Sequence, residues 1–433
     1  MKGGETKDGG NGQGILFKEG GKMHKRLKKI GLGLVAVGIS MVLLLTGAIP
    51  LCEAKPNQKV VRMGLRACLS GPGASTTLYA HYGQFDTVKY INEQGGIDGI
   101  KLEWLWEDCR AQAPKSISAH RRFKEAGVVI ESDCISSGVD ITLSAQVRDE
   151  IPLLYMAELY SPLITKPQWV CAYAPTHSTE LASFMKWVKD NWTEERPPRV
   201  GLLFCDFSAG WDAFEGRKAT PELGVEFVGH EVIPFLLVID VSTELLRLAV
   251  KKPDWIYVVS YAAPLVVVIK DAARLEFQEK GIKLMTVAAG VDEIVMRTAG
   301  KDAEGWHRIS FQPSVTETEL PGLKTAFEIA KKYRGLEPEE VPGHYANAVA
   351  LTQFMVEAIR LAIEEIGFEN LTGRVVRDAM FSIKDFETGI FPPMSPTEGK
   401  PFLASTYAIY QVQQGRLMRY SERFEPYYMY SFG

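Results

Sequence analysis

The sequence predicts an α/β protein made of two parallel-sheet units. Two observations carry this. From residue 59 onward, short apolar runs alternate with stretches of helical period. The alternation completes one βαβαβαβ series by residue 157 and starts again near residue 178. The bulk numbers allow it: 433 residues, 46% hydrophobic and 24% charged, are enough for two or three ordinary globular domains.

The first series opens with the strand-like run KVVRMGLRACL at 59–69, which ends in the turn SGPG at 70–73. TTLYAHYGQFDTVKYINEQ at 76–94 has helical period and is closed by Gly95 and Gly96. KLEWLWED at 101–108 reads as a strand. PKSISAHRRFKEA at 114–126 reads as a helix with late basic residues, ended by Gly127. VVIES at 128–132, VDITLSAQVRDE at 139–150 and IPLLYMA at 151–157 give strand, helix and strand. This order implies a parallel, doubly wound sheet.

The second series alternates in the same way. Helices are expected at 178–192, 211–223, 241–252 and 263–279, and strands at 199–206, 226–234, 254–261 and 282–289. Helical stretches at 319–335 and 346–367 follow. The tail STYAIYQVQQGRLMRY at 405–420 alternates like an antiparallel hairpin around Gln413, Gln414 and Gly415, and is expected to add edge strands.

The first 54 residues differ in kind. A polar, Gly-rich start is followed by a basic cluster at Lys25, Arg26, Lys28 and Lys29, a long apolar run, and the small-residue site Cys52-Glu53-Ala54. That is the pattern of a signal peptide over 23–54, cleaved after Ala54. A retained anchor and lipidation of Cys52 are the alternatives; Leu51 is large where lipidation wants a small residue. Residues 1–22 read as a start-site extension, with translation beginning at Met23. An exported chain meets a disulfide-permissive compartment.

Formal net charge is −4, and no basic run interleaved with aromatics is present, so nucleic acid is not an expected partner. The seven histidines form no H-E-x-x-H or comparable spacing. There is no G-x-S-x-G elbow and no phosphate loop of the G-x-x-x-x-G-K-[ST] type. Neither catalysis nor a metal or cofactor is expected.

Two α/β units without a long linker imply a cleft. Ligands of open α/β sheets lie beyond the carboxyl ends of the strands. The turns in that position are CLSGPGAS, EDCRAQ, SDCISSG, MAELYS, FCDFSAG, VSYAAP and VAAGVDE.

With LSGPGAS at 69–75, YINEQGGIDGIKLEWLWEDC at 90–109, SDCISSG at 132–138 and AGKDAEG at 299–305, the chain resembles the type I periplasmic solute-binding proteins of ABC importers, of the leucine/isoleucine/valine-binding kind. The likeness runs through essentially all of the mature chain. It implies two Rossmann-like lobes joined by a three-crossover hinge, 59–176 with 314–386 and 177–313 with 387–433. It implies a small-molecule ligand, an ABC permease as partner, a periplasmic location and a monomer. It also implies a disulfide between Cys109 and Cys134. Cys68, Cys171 and Cys205 read as small core residues.

For the site, the resemblance implies that a ligand carboxylate is held by hydroxyls and main-chain N–H groups at Ser136 and Ser137, where a helix N-terminus supplies donors. The second strand-end loop, at Ala157 and Glu158, departs from the family pattern. Glu158 stands where a hydroxyl is expected, so either it points away or the ligand offers a donor or cation there. Tyr261 matches an aromatic that packs on the ligand. The acidic position that would take an α-ammonium falls near Ala288, which has no carboxylate; Glu158, Asp206 or Asp292 is the expected substitute. Tyr82 is a further wall candidate, with Tyr79 and Thr76 nearby; Trp211 reads as lining the cleft or as core. His177 reads as a helix-capping surface residue.

The leading expectation is therefore a binding component that captures an amino acid. An amide, or an aromatic or short-chain acid, is the rival ligand. A ligand-sensing subunit of a signalling system is the rival class.

Overall fold

The computed structural model describes residues 58–71, 74–235 and 237–429. The expectations for 1–22, 23–54 and Cys52 lie outside them.

The first series contains β1 (Val60–Ala67), α1 (Ala74–Glu93), β2 (Lys101–Asp108), α2 (Ala113–Glu125), β3 (Glu131–Asp133), α3 (Ser136–Asp149), β4 (Leu153–Glu158) and β5 (Val170–Ala174). Its sheet runs β2-β1-β3-β4-β5, every pair parallel. The second series contains α4 (His177–Asp190), β6 (Arg199–Cys205), α5 (Ser208–Glu215), α6 (Thr220–Leu223), β7 (Glu226–Ile233), α7 (Ser242–Ala249), β8 (Trp255–Val259), α8 (Ala262–Arg274), β9 (Lys283–Thr286), α9 (Glu293–Ala299) and β10 (His307–Ser310). The chain then returns to the first lobe as α10 (Pro321–Arg334), α11 (Gly343–Ile366) and α12 (Gly373–Ser382). It ends in β11 (Ala408–Gln413) and β12 (Arg416–Arg419), which join the second sheet antiparallel: β12-β11-β10-β9-β8-β6-β7.

Burial explains why the strands read as apolar runs. All five residues of β8, and all five of β5, are buried, as a sheet covered on both faces requires. α11 is long and apolar enough to cross a membrane, yet 67% of its most apolar window is buried inside the protein. It packs on α1 at Gly83, where a Cβ would stand 2.5 Å from the Tyr345 carbonyl oxygen, so only glycine lets these helices approach. The tail hairpin forms as expected, with Gln414 (φ 53°) and Gly415 (φ 71°) turning it.

Two elements differ from expectation. The helix expected at 211–223 breaks into α5, a 3₁₀ turn over Gly216–Ala219 and α6, because Pro221 lacks the N–H needed to continue it. β3 spans only Glu131–Asp133, although the run before it already bonds to β1: the Val129 N–H donates to Arg62 O at 3.1 Å and the Gly64 N–H to Ile130 O at 2.9 Å.

The Cys109–Cys134 disulfide is not formed; Cys68, Cys109, Cys134, Cys171 and Cys205 are free thiols. The strand order gives the reason. Cys109 continues β2 and donates its N–H to Ala67 O at 2.7 Å, so β1 lies between it and Cys134. Two strand spacings make roughly 10 Å, beyond the ~7 Å limit for a bridge. The faces differ as well. The β1→β2 and β2→β3 steps run in opposite directions, so right-handed crossovers put α1 and α2 on opposite sides of the sheet. Cys109 packs with Ala119 and Phe123 of α2, whereas Cys134 Sγ lies 3.5 Å from His81 Nε2 of α1.

Candidate functional site

The carboxyl end of β4, the start of α4 and the ends of β8 and β9 meet in one buried polar group. Glu158, the last residue of β4, is 4% exposed. His177 opens α4 behind its cap, Thr176, whose side chain accepts from the Thr179 N–H. His177 is 3% exposed, with Nε2 3.6 Å from Glu158 Oε2. The surface capping role expected for it is thus overturned: Thr176 caps, and the imidazole turns inward. Glu180 lies three residues on, on the same helix face, fully buried.

Two neighbours hold Glu180 Oε1. Tyr257 donates its hydroxyl at 2.5 Å, and the Ala288 N–H donates at 3.2 Å. Glu180 Oε2 and His177 Nδ1 are buried with no hydrogen-bond partner among the described residues, as are the hydroxyls of Tyr173 and Tyr407. Burial, then the charge of Glu158, pushes the Glu180 carboxyl well above the usual carboxylate range, against the pull of its two donors. Burial and then the charges of Glu158 and Glu180 raise the Tyr261 phenol as well, so Tyr261 belongs to the same electrostatic group. One ligand atom each from Glu158, His177 and Glu180 lies within 4.8 Å of the others.

Of the residues singled out from sequence, Glu158, Tyr261 and Ala288 are brought together. Ala157 precedes Glu158 in β4 and is half-buried. Ser136 and Ser137 open α3 just after β3; their backbone alone is described. Tyr82 is engaged elsewhere: its ring lies 3.9 Å from the Arg334 guanidinium, which pairs with Asp86. Asp206 is exposed and accepts from the Trp211 indole N–H at 2.8 Å; Trp211 is itself 46% exposed rather than core. Asp292 caps α9 through the Val295 N–H and faces His344. A surface groove of about 570 Å³ between α9, α10 and the β11–β12 turn lies apart from this group and is lined by Glu293, Phe327 and Arg416 among others. None of the unpartnered buried atoms named above belongs to its lining, so the buried group is the better site.

A family model described as periplasmic binding protein matches residues 60–416. The chain belongs to the periplasmic binding protein family. This is a family of solute-binding proteins, and the two-lobed α/β architecture is its fold. No curated protein sequence matches the chain. Among solved structures, this periplasmic binding protein is similar to a branched-chain amino acid ABC transporter protein from Thermus thermophilus with bound valine (18% identity, TM-score 0.77, covering 87% of this chain and 98% of that one). It is also similar to a solute-binding protein from R. palustris in complex with 4-hydroxybenzoate (17% identity, TM-score 0.71, 85% and 98% covered). A third is a fatty acid ABC transporter substrate-binding protein from Thermomonospora curvata (17%, 0.71, 85% and 92%).

Sequence reasoning missed Glu180 and Tyr257. The available signal was H-x-x-E at the start of a helix that follows a buried strand: His177 and Glu180 share a face there.

Proposed function

We propose that this chain is the extracytoplasmic substrate-binding component of an ABC importer and that its ligand carries a cationic nitrogen, an amino acid in the first instance. One observation carries the reading. Glu180, fully buried, lies against the Ala288 N–H with Oε2 unpartnered, and so supplies a carboxylate where the sequence lacked one. Burial disfavours the charged form of Glu180, and a ligand ammonium facing the unpartnered Oε2 would favour that form and pair with it. The α3 N-terminus at Ser136 and Ser137 would hold the ligand's carboxylate or carbonyl. Tyr261 would pack on its body. The lobes would be 59–176 with 314–386 and 177–313 with 387–433, closing by hinge motion. The leader over 23–54 would export the chain.

Glu158 favours a second reading. A glutamate side chain at the end of β4 is a poor neighbour for a ligand carboxylate but accepts from an amide N–H. An amide-bearing ligand with a cationic nitrogen satisfies both glutamates. The T. thermophilus relative binds valine and the R. palustris relative binds 4-hydroxybenzoate, so the fold takes both amino acids and ligands without an ammonium.

A thermal-shift screen of the purified protein tests this, using amino acids, their amides, aromatic and short-chain acids, and divalent metal ions. A ligand at 100 times its dissociation constant adds about 2.7 kcal/mol. Shifts with amino acids or amides, lost in Glu180→Gln, support the proposal. Shifts confined to acids without an amine, or to metal ions, overturn the cationic-nitrogen reading.

A further inference from the structure

We propose that Cys68 and Cys134 are a redox pair that closes to a disulfide in the exported protein. β1 and β3 are neighbouring parallel strands, with Arg66 opposite Asp133. Extending that register leaves Cys68 and Cys134 one residue out of step; strict alternation would turn them to opposite faces, but both lie past the last paired residues, and their contacts put both thiols on the α1 side. A strand spacing of ~4.8 Å and a rise of ~3.3 Å put their Cα atoms about 5.8 Å apart, in the middle of the range that disulfides span.

Both residues meet the same two side chains of α1. The Cys68 N–H donates to His81 Nε2 at 2.9 Å, and Cys134 Sγ lies 3.5 Å from the same nitrogen. The Thr77 hydroxyl donates to Cys68 O at 2.8 Å and faces both thiols. Cys109, the other nearby thiol, is on the α2 side of the sheet.

His81 fixes the end of β1 beside Cys134. A backbone N–H can only donate, so His81 Nε2 is the bare nitrogen and Nδ1 carries the proton, donated to Gln84 Oε1 at 3.0 Å. The Gln84 amide is oriented by its own donation to Ser132 Oγ at 2.8 Å. Burial, opposed by Gln84, lowers His81 to about 4, so the ring is neutral near pH 7. Burial and then the charge of Asp133 push the Cys134 thiol well above its ordinary value, so its reaction with an oxidant is slow near pH 7 and speeds up in alkali.

The chemistry is thiol–disulfide exchange with an external disulfide, small-molecule or protein. Cys134, partly exposed, loses its proton to solvent and attacks one sulfur of the oxidant; the other sulfur leaves and takes up a proton from solvent as a thiol. Cys68, 1% exposed, then loses its proton and attacks Cys134 Sγ, expelling the second oxidant sulfur as a thiol. One S–S bond forms in the protein, one breaks in the oxidant, and two electrons pass to the oxidant. The bridge would tie the end of β1 to the end of β3, directly ahead of the α3 N-terminus.

The test is oxidation of the purified, reduced protein with oxidised glutathione, followed by alkylation, digestion and peptide mapping. A peptide linking Cys68 to Cys134 is expected, lost in Cys134→Ser and retained in Cys109→Ser. A linkage through Cys109, or alkylation of all thiols after denaturation, overturns the proposal. If the serine variants fail to fold, the wild-type map alone decides. The outcome does not depend on which ligand the cleft takes.

Discussion

Glu180→Gln is expected to stabilise the ligand-free protein and weaken ligand capture at once. The side chain is fully buried, and the Gln carbonyl can still accept from Tyr257 and Ala288. What disappears is the charge. With ligand atoms of Glu158 and Glu180 within 4.8 Å, two ionised carboxylates repel by about 3.5 kcal/mol at an effective dielectric of about 20. The sign follows from the raised Glu180 pKa. The folded protein holds that proton more tightly than the unfolded chain, so this contribution is full below the ordinary value of 4.5 and is lost as pH rises through the folded value. The variant should match wild type near the ordinary carboxylate pKa and exceed it increasingly at higher pH. For a folded unit of this length, ~3 kcal/mol corresponds to about 4 °C in Tm. Thermal unfolding of both ligand-free proteins across pH measures it. Loss of a charge-assisted hydrogen bond of about 2 kcal/mol should weaken an amine ligand roughly 30-fold, read by calorimetry. A variant less stable than wild type at every pH would refute the repulsion, and unchanged affinity would refute the ammonium contact.

Two further changes probe the frame of the site. Gly138→Ala should cost about 1–3 kcal/mol by overpacking, because the new Cβ would stand 2.7 Å from Ser116 Oγ and 2.8 Å from Asp133 Oδ2. Asp133 Oδ1 accepts from the Ile135 N–H just before α3, so urea unfolding should show the loss and ligand affinity should fall with it. His344→Gln should matter most at low pH: burial alone would lower the His344 pKa, but Asp292, 3.4 Å away, and the charge of Glu293 raise it. That stabilisation is full below the ordinary value of 6.5 and is lost as pH rises through the folded value. The stability gap between wild type and variant, about 1–2 kcal/mol, should therefore close on going to alkaline pH in chemical unfolding.

The architecture was legible because its causes are local. Strands buried on both faces, as in β8, leave unbroken apolar runs, and helices such as α11 leave a 3.6-residue period. The strand-end rule also singled out the turns that meet at the buried polar group: MAELYS, VSYAAP and VAAGVDE supply Glu158, Tyr261 and Ala288. What periodicity does not contain is strand order. It is the position of β1 between β2 and β3 that separates Cys109 from Cys134 and brings Cys68 to Cys134 instead. The same limit hid Glu180. Its partners Tyr257 and Ala288 lie 77 and 108 residues away, and α4 reaches them only because the chain crosses between lobes at APTHSTE. A carboxylate missing from one turn was supplied in space by another segment. An acid site inferred by counting along a motif is therefore one position in sequence but one volume in the fold, and any helix that begins at a crossover can fill it.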